Sequence, residues 1–285
     1  MNSKKVLITG GNAGIGFETS KALALKGYRV IILGRTKQKC EDAVYQINQI
    51  AQNDYCTYYL CDLSNQNEIK KTAQLISEQH HSLDILINNA GQVFTEYNES
   101  VDGIEMQFAT NHLAYFLLTY ELIPLLQKST EARIINVSSN SHYRGKVDFN
   151  NLYFKNNYKF FDAYAQSKLC NVLFTYALAE KLKNSNITVN ALHPGLVKTS
   201  IGTKNTKWWE SLAWTLWSKL GISVADGAKT SIYLASSDEV KNTTGKYWNK
   251  CKAQESLKTS YDKDIQEKLW KLSEDLCKID YSKYI

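Results

Sequence analysis

The 285-residue chain is predicted to fold as an α/β protein, a doubly wound parallel sheet with helices on both faces. Three observations point there. Short continuous apolar runs alternate with helix-length segments. The first of these runs ends in a glycine-rich turn that opens a helix. With only two prolines and no Pro/Gly/Ser-rich linker, nothing divides the chain, and no period repeats, so residues 1–285 are read as one domain.

In order, KKVLITG reads as a strand, followed by a helix over about 14–26, then YRVIILG as a second strand and a polar-faced helix from Lys37. TYYLCDL, DILINNA, ARIINVSS and ITVNALHPG continue the strands. Helices are expected over 65–79, 104–128, 161–184 and 224–236, then an edge strand near 245–248 and a last helix over about 261–277. Pro124 is expected to kink the long central helix near its end.

Lys+Arg number 34 against 28 Asp+Glu, a net charge of +6, but the basic residues are scattered among acidic ones. That describes a solvated surface rather than a nucleic-acid interface. Six cysteines show no CxxC pair and no histidine at metal-ligand spacing, which predicts free thiols in a reducing compartment and no metal site. Sequons at Asn98, Asn136, Asn186 and Asn242 follow no secretory signal, and Asn136 falls in a predicted buried strand, so they are read as chance matches. The longest apolar run, LAYFLLTYELIPLL, is broken by Glu121 and Pro124, too early for a membrane span. A cytoplasmic location is expected.

TGGNAGIG, residues 9–16, carries the first chemistry. Gly10 permits a tight turn, Gly14 lets backbone approach a pyrophosphate, Gly16 lets the helix pack on the sheet, and Asn12 and Ile15 share the turn. This is a Rossmann-type dinucleotide site, although Gly-x3-Gly-x-Gly is one residue longer than G-x-G-x-x-G. After strand two, an NAD enzyme carries an acidic residue; here stand Gly34 and Arg35. A guanidinium fork suits a 2′-phosphate, with Lys37 or Lys39 adding charge, so NADP(H) is favoured over NAD(H). The plainer reading makes Arg35 a solvated helix-entry residue.

In YAQSK, Tyr164 and Lys168 stand one helical turn apart. An ammonium there is expected to lower the phenol's pKa and fit Tyr164 to exchange a proton with a carbonyl or alcohol oxygen.

TGGNAGIG, NNAG at 88–91, NVSS at 136–139, YAQSK at 164–168 and HPG at 193–195, in that order, resemble the short-chain dehydrogenase/reductase family. YAQSKLCNVLFTYALAEKL, the C-terminal LWKLSEDL and a long stretch between serine and tyrosine look like its retinol-dehydrogenase-like members. The resemblance implies a catalytic set of Asn111, Ser139, Tyr164 and Lys168. Tyr164 is the acid/base, Lys168 also binds the nicotinamide ribose, Ser139 holds the substrate oxygen, and Asn111 bends its helix and holds a relay water. Ser138 is the bland alternative, a hydroxyl satisfied by backbone. It further implies Asp62 and Leu63 near the adenine, Asn89, Ala90 and Gly91 against the ribose, and Pro194, Gly195, Val197 and Thr199 at the carboxamide and pyrophosphate. His193 is read as packing rather than as a second base.

Ser139 and Tyr164 are 25 positions apart, so SHYRGKVDFNNLYFKNNYKF must leave the site and return. His142, Tyr143 and Arg144 are expected as surface decoration rather than pocket border. A variable helical substrate lid is placed at 200–223, where Trp208, Trp209 and Trp217 recur with helical spacing. They suit an apolar pocket, a peripheral membrane contact or packing on the core. Relatives of this kind often carry an N-terminal membrane anchor, whereas MNSKKVLITG starts at strand one. Family members also often pair through the long helices beside the site, so a homo-oligomer is expected.

Together these imply an NADP(H)-dependent oxidoreductase moving hydride between nicotinamide and a carbonyl or alcohol, a retinoid or another hydrophobic aldehyde or ketone, in the reducing direction. The alternative is a non-catalytic NADP(H)-binding regulator or scaffold, which need not retain the Tyr/Lys/Ser/Asn set.

Overall fold

The computed structural model describes residues 3–196 and 221–285. Strands β1 (Lys5–Thr9), β2 (Arg29–Gly34), β3 (Cys56–Leu60), β4 (Ile85–Asn88), β5 (Ala132–Val137), β6 (Ile187–His193), β7 (Lys246–Asn249) and β8 (Lys252–Gln254) form one sheet in the order 3-2-1-4-5-6-7-8. All pairings are parallel except β7 with β8. The strand order reverses between β1 and β4, and a doubly wound sheet binds ligands at the carboxyl ends of the strands at such a point.

Side-chain alternation explains the continuous apolar runs. Leu7, Ile31, Leu33, Leu86 and Ile134 face one helical layer, and Val6, Ile8, Val30, Ile32, Ile85, Ile87 and Ile135 face the other. Both layers are apolar, so the strand interiors are apolar at nearly every position. The first layer holds α3 (Gln66–Gln79), α5 (Ala114–Leu126), α6 (Phe160–Lys181) and α8 (Lys263–Cys277); the second holds α1 (Gly14–Leu25), α2 (Lys37–Ala51) and α7 (Val224–Ser236).

Two expectations about the fold are corrected. The long central helix is interrupted at its start: a short α4 (Met106–Phe108) leads into a π-helical turn over Ala109–Leu113, and α5 then runs through Pro124 to Leu126. Two residues from the end, the proline removes one hydrogen bond from the last turn. β7 is not the edge, because a two-residue hairpin at Lys250 and Cys251, with φ of 48° and 59°, adds β8 beyond it. The outer face of α5 and α6 packs against the chain's own C-terminus. Trp270 packs edge-on to Phe116 at 5.1 Å and beside Phe174 at 5.9 Å, and the Tyr281 hydroxyl donates to Phe116 O at 2.6 Å.

Asn136 is fully buried, all six thiols are unpaired, and among the described residues no helix is long and apolar enough to cross a membrane. The expected lid lies outside the described residues up to position 220, as do Val197 and Thr199.

Candidate active site

The turn after β1 builds one wall. Gly10 has φ of 64° and Gly14 of 53°, left-handed values that glycine adopts without a Cβ penalty. A Cβ on Gly16 would lie 2.6 Å from Asn89 Nδ2 and closer still to Gly10 O, so only glycine lets α1 meet the turn. Thr9 ties this wall to the next: its Oγ1 accepts the N–H groups of Asn89 at 2.8 Å and Ala90 at 2.9 Å, and Asn89 Nδ2 donates to Thr9 O at 2.8 Å. Sequence reading passed over Thr9, although it stands directly before the first motif glycine.

Gly91 then runs open over the side chains of Lys168 and Asn111. A Cβ on it would sit 3.1 Å from Lys168 Nζ and 3.3 Å from Asn111 Oδ1, which brings Gly91, Lys168 and Asn111 to one place. Asn111, in the π turn, accepts Gln92 N at 2.8 Å on Oδ1 and donates through Nδ2 to Gln92 O at 2.9 Å and Ser167 Oγ at 3.2 Å. Its side chain therefore fastens the loop after β4 to α6. Tyr115, also missed, donates to Ala90 O at 2.8 Å and sets its ring 5.8 Å from Lys168 Nζ.

On α6, Lys168 Nζ lies 5.7 Å from the Tyr164 ring centroid and donates to Val137 O at 3.2 Å. Ser138 Oγ donates to Lys168 O at 2.7 Å and pins α6 to β5, the bland role anticipated for it. Ser139 lies at the end of β5, where its Oγ accepts Ser141 N at 3.1 Å, and its hydroxyl interacts with the Tyr164 phenol. The excursion between them thus returns. Gly145 makes this possible: a Cβ there would stand 2.6 Å from Ala165 O, so only bare backbone lies this close to α6.

His142 is neither surface decoration nor pocket border. It is fully buried, its Nε2 accepts Leu257 N at 3.2 Å, and the proton this leaves on Nδ1 is donated to Ser139 O at 2.7 Å. His193 Nδ1 accepts Asn140 N at 3.2 Å, and burial with His142 nearby holds it down at about 4, a packing role. Asp62 takes both the backbone N–H and the hydroxyl of Ser64, at 2.9 and 2.7 Å, and its other oxygen is 3.8 Å from Arg35. Arg35 is exposed at the end of β2, Leu63 packs against the core, and Asn12 lies beside Gly34. Pro194 and Gly195, with φ of 94°, follow β6 on the same sheet end.

A family model described as short chain dehydrogenase matches residues 4–210. The chain belongs to the short-chain dehydrogenase/reductase family. Within it, this oxidoreductase is retinol-dehydrogenase-like: it is 38% identical to mouse retinol dehydrogenase 12 over 98% of this chain and 87% of that one. It is 36% identical to human retinol dehydrogenase 14 over 96% and 86%. An uncharacterized protein from Mycobacterium paratuberculosis superposes with a TM-score of 0.77 at 29% identity, covering 98% and 94%. A short chain dehydrogenase from Escherichia coli CFT073, solved with NADPH, shares the fold at a TM-score of 0.68 and 23% identity, covering 88% and 97%. The family's chemistry is hydride transfer at CH–OH carbons with a nicotinamide cofactor.

The residues present fit such a cofactor. Ala13, the residue before α1, offers no capping side chain, and no acidic residue stands in the first turn, so the helix N–H groups remain free for an anion. The space a Cβ would fill at Gly91 opens directly onto Lys168.

Electrostatics departs from the expectation. Burial pushes the Tyr164 phenol up to about 12, with Ser139 pulling it partly back, and pushes Lys168 down to about 7. In this low-dielectric site the cost of burying charge outweighs the ammonium's help to the phenolate. The unfolded chain keeps the Lys168 proton up to about 10.5, while the folded protein releases it above about 7, so this group adds stability as pH rises from 7. Buried thiols act oppositely above about 9, since Cys56 and Cys61 are pushed up to about 12. Between about pH 7 and 8.5, Lys168→Met is expected to flatten the rise of unfolding free energy by about 1 kcal/mol per pH unit. Equal slopes in denaturant titrations of both proteins would show that buried Nζ keeps its proton.

Proposed function

We propose that this short-chain dehydrogenase reduces hydrophobic aldehydes or ketones, retinoids among them, with NADPH. The observation that carries it is the meeting of Ser139, Tyr164, Lys168 and the Asn111-held loop at the carboxyl end of the sheet. Bound nicotinamide supplies the hydride. Tyr164, protonated at neutral pH, gives the substrate oxygen its proton, so that the carbonyl becomes an alcohol. Ser139 holds that oxygen, Lys168 binds the ribose, and Asn111 keeps the 91–92 backbone clear of both. The uncapped start of α1 receives the pyrophosphate, and the turn 10–16 and the 89–91 wall hold the nucleotide.

NADPH is preferred because Arg35, not a carboxylate, stands at the end of β2, held by Asp62. Arg35→Gln is expected to weaken NADPH about tenfold or more, the scale of a charge-assisted hydrogen bond, and to leave NADH unchanged. A parallel loss for both cofactors in fluorescence titrations would remove Arg35 from 2′-phosphate recognition. Cytoplasmic residence, with peripheral membrane contact through the Trp-rich lid at 200–223, belongs to the same reading.

The substrate names carried by the relatives motivate the class. Loss of NADPH absorbance with retinal, long-chain aldehydes and ketones tests it; no oxidation with any of them favours the non-catalytic regulator.

A further inference from the structure

We infer that Glu105, Gln107 and Tyr158 form a clamp positioning the first turn of α6, and that the exposed Phe161 ring held there is an apolar contact for the substrate. This rests on the carbonyl-reductase reading above. Tyr158 Oη donates to Glu105 Oε1 at 2.6 Å and accepts Gln107 Nε2 at 2.7 Å; the same Nε2 donates to Phe160 O at 3.0 Å. Glu105 is 1% exposed and also accepts the N–H groups of Gln107 at 2.9 Å and Phe108 at 2.7 Å. A buried carboxyl is costly unless satisfied, and three donors satisfy this one. Phe94 O, in the segment that Asn111 holds at Gln92, lies 3.4 Å from the same hydroxyl.

The long excursion is therefore not a free loop. Gln166 on α6 fastens its middle, donating to Leu152 O at 2.8 Å and accepting Asp148 N at 3.1 Å. Its last residues then deliver α6 in a fixed orientation at Phe160. Phe161 is 59% exposed and three residues before Tyr164, so both rings project from one helix face. Leu196 and Ile222, also exposed, follow β6 at the same end of the sheet. A single exposed aromatic ring is ordinary. One that follows a residue fixed by a buried clamp, a turn before the proton donor and on the same helix face, is placed to meet an apolar substrate.

The test uses the full chain with NADPH and two probes, decanal and propanal. In Tyr158→Phe and in Phe161→Ser, KM for decanal is expected to rise about tenfold, the scale of one lost apolar burial, with kcat falling less than about threefold. KM for propanal moves much less. Equal shifts for both aldehydes, or none, overturn the inference. Decanol titrated into the protein with NADPH, where no hydride can transfer, reads binding without turnover. Phe161→Ser, a surface change that leaves the fold alone, should bind it about tenfold more weakly, and unchanged binding overturns the contact. Hydrogen exchange of residues 92–97 and 155–161 should quicken in Tyr158→Phe; unchanged exchange overturns the clamp. A wild-type protein inert toward all carbonyls, yet showing both of these changes, overturns the reductase reading and leaves the inference standing.

Discussion

Tyr164→Phe is expected to lower carbonyl reduction by a factor on the order of 10³, while NADPH binds within about threefold of wild type. The substitution removes one oxygen and keeps the ring, so the Lys168 contact at 5.7 Å survives, as does Lys168's bond to Val137 O. No buried charge is stranded, because the phenol is neutral at pH 7, and the fold should hold. The raised pKa of this phenol also assigns a pH signature. Reduction needs the protonated form, abundant throughout pH 6 to 9, and should vary little there through this group. Alcohol oxidation needs phenolate and should climb with pH over that range. Stopped-flow absorbance of the nicotinamide in both directions reads the difference. Full turnover in the variant, or oxidation that falls as pH rises, would take the proton away from Tyr164.

Much of this site was legible because its parts depend on local pattern. Continuous apolar strands imply two apolar helical layers, and the residues of β1, β2, β4 and β5 divide between those layers by simple alternation. Tyr164 and Lys168 share a face because they sit one turn apart. What escaped was nonlocal or lacked its usual residue. The hairpin before β8 uses Lys250 and Cys251 at positive φ where Asn-Gly is the recognisable signal, so nothing in the sequence announced the added strand. The π turn at Asn111 has no proline or glycine to mark it, and only the resemblance placed a bend there. Thr9 and Tyr115 act through bonds to residues 80 and 25 positions away, which no spacing encodes. His142 looked like a loop residue because Leu257, its partner, is 115 positions distant.

The Tyr164–Lys168 electrostatics failed for a different reason. Charge proximity is readable from a sequence, but the cost of desolvating that charge is not. Lys168 is 3% exposed, and burial alone brings its ammonium near half-titration at neutral pH in the free protein. Binding an anionic partner would favour the charged ammonium again.

Gly16→Ala is expected to abolish useful nucleotide binding, raising the NADPH Kd by about a hundredfold, and to lower the melting temperature by several degrees. In a helix interior alanine is ordinarily better than glycine by about 1 kcal/mol, so propensity alone predicts stabilisation. The added Cβ instead meets Gly10 O and, at 2.6 Å, Asn89 Nδ2. The first is backbone, and the second is held by Thr9 O, so neither swings aside. Overpacking of this kind costs about 1–3 kcal/mol, enough to reverse the propensity gain, and a relaxed structure must shift α1 away from the 10–16 turn. That shift carries off the uncapped N–H groups proposed to receive the pyrophosphate. Gly27→Ala is the control: its φ of 84° makes alanine strained, but nothing lies within 4 Å of the new Cβ. It should cost stability and leave NADPH affinity intact. Calorimetric melting with fluorescence titration of both variants separates strain from clash, and a Gly16→Ala protein that binds NADPH like wild type would move the nucleotide away from this turn.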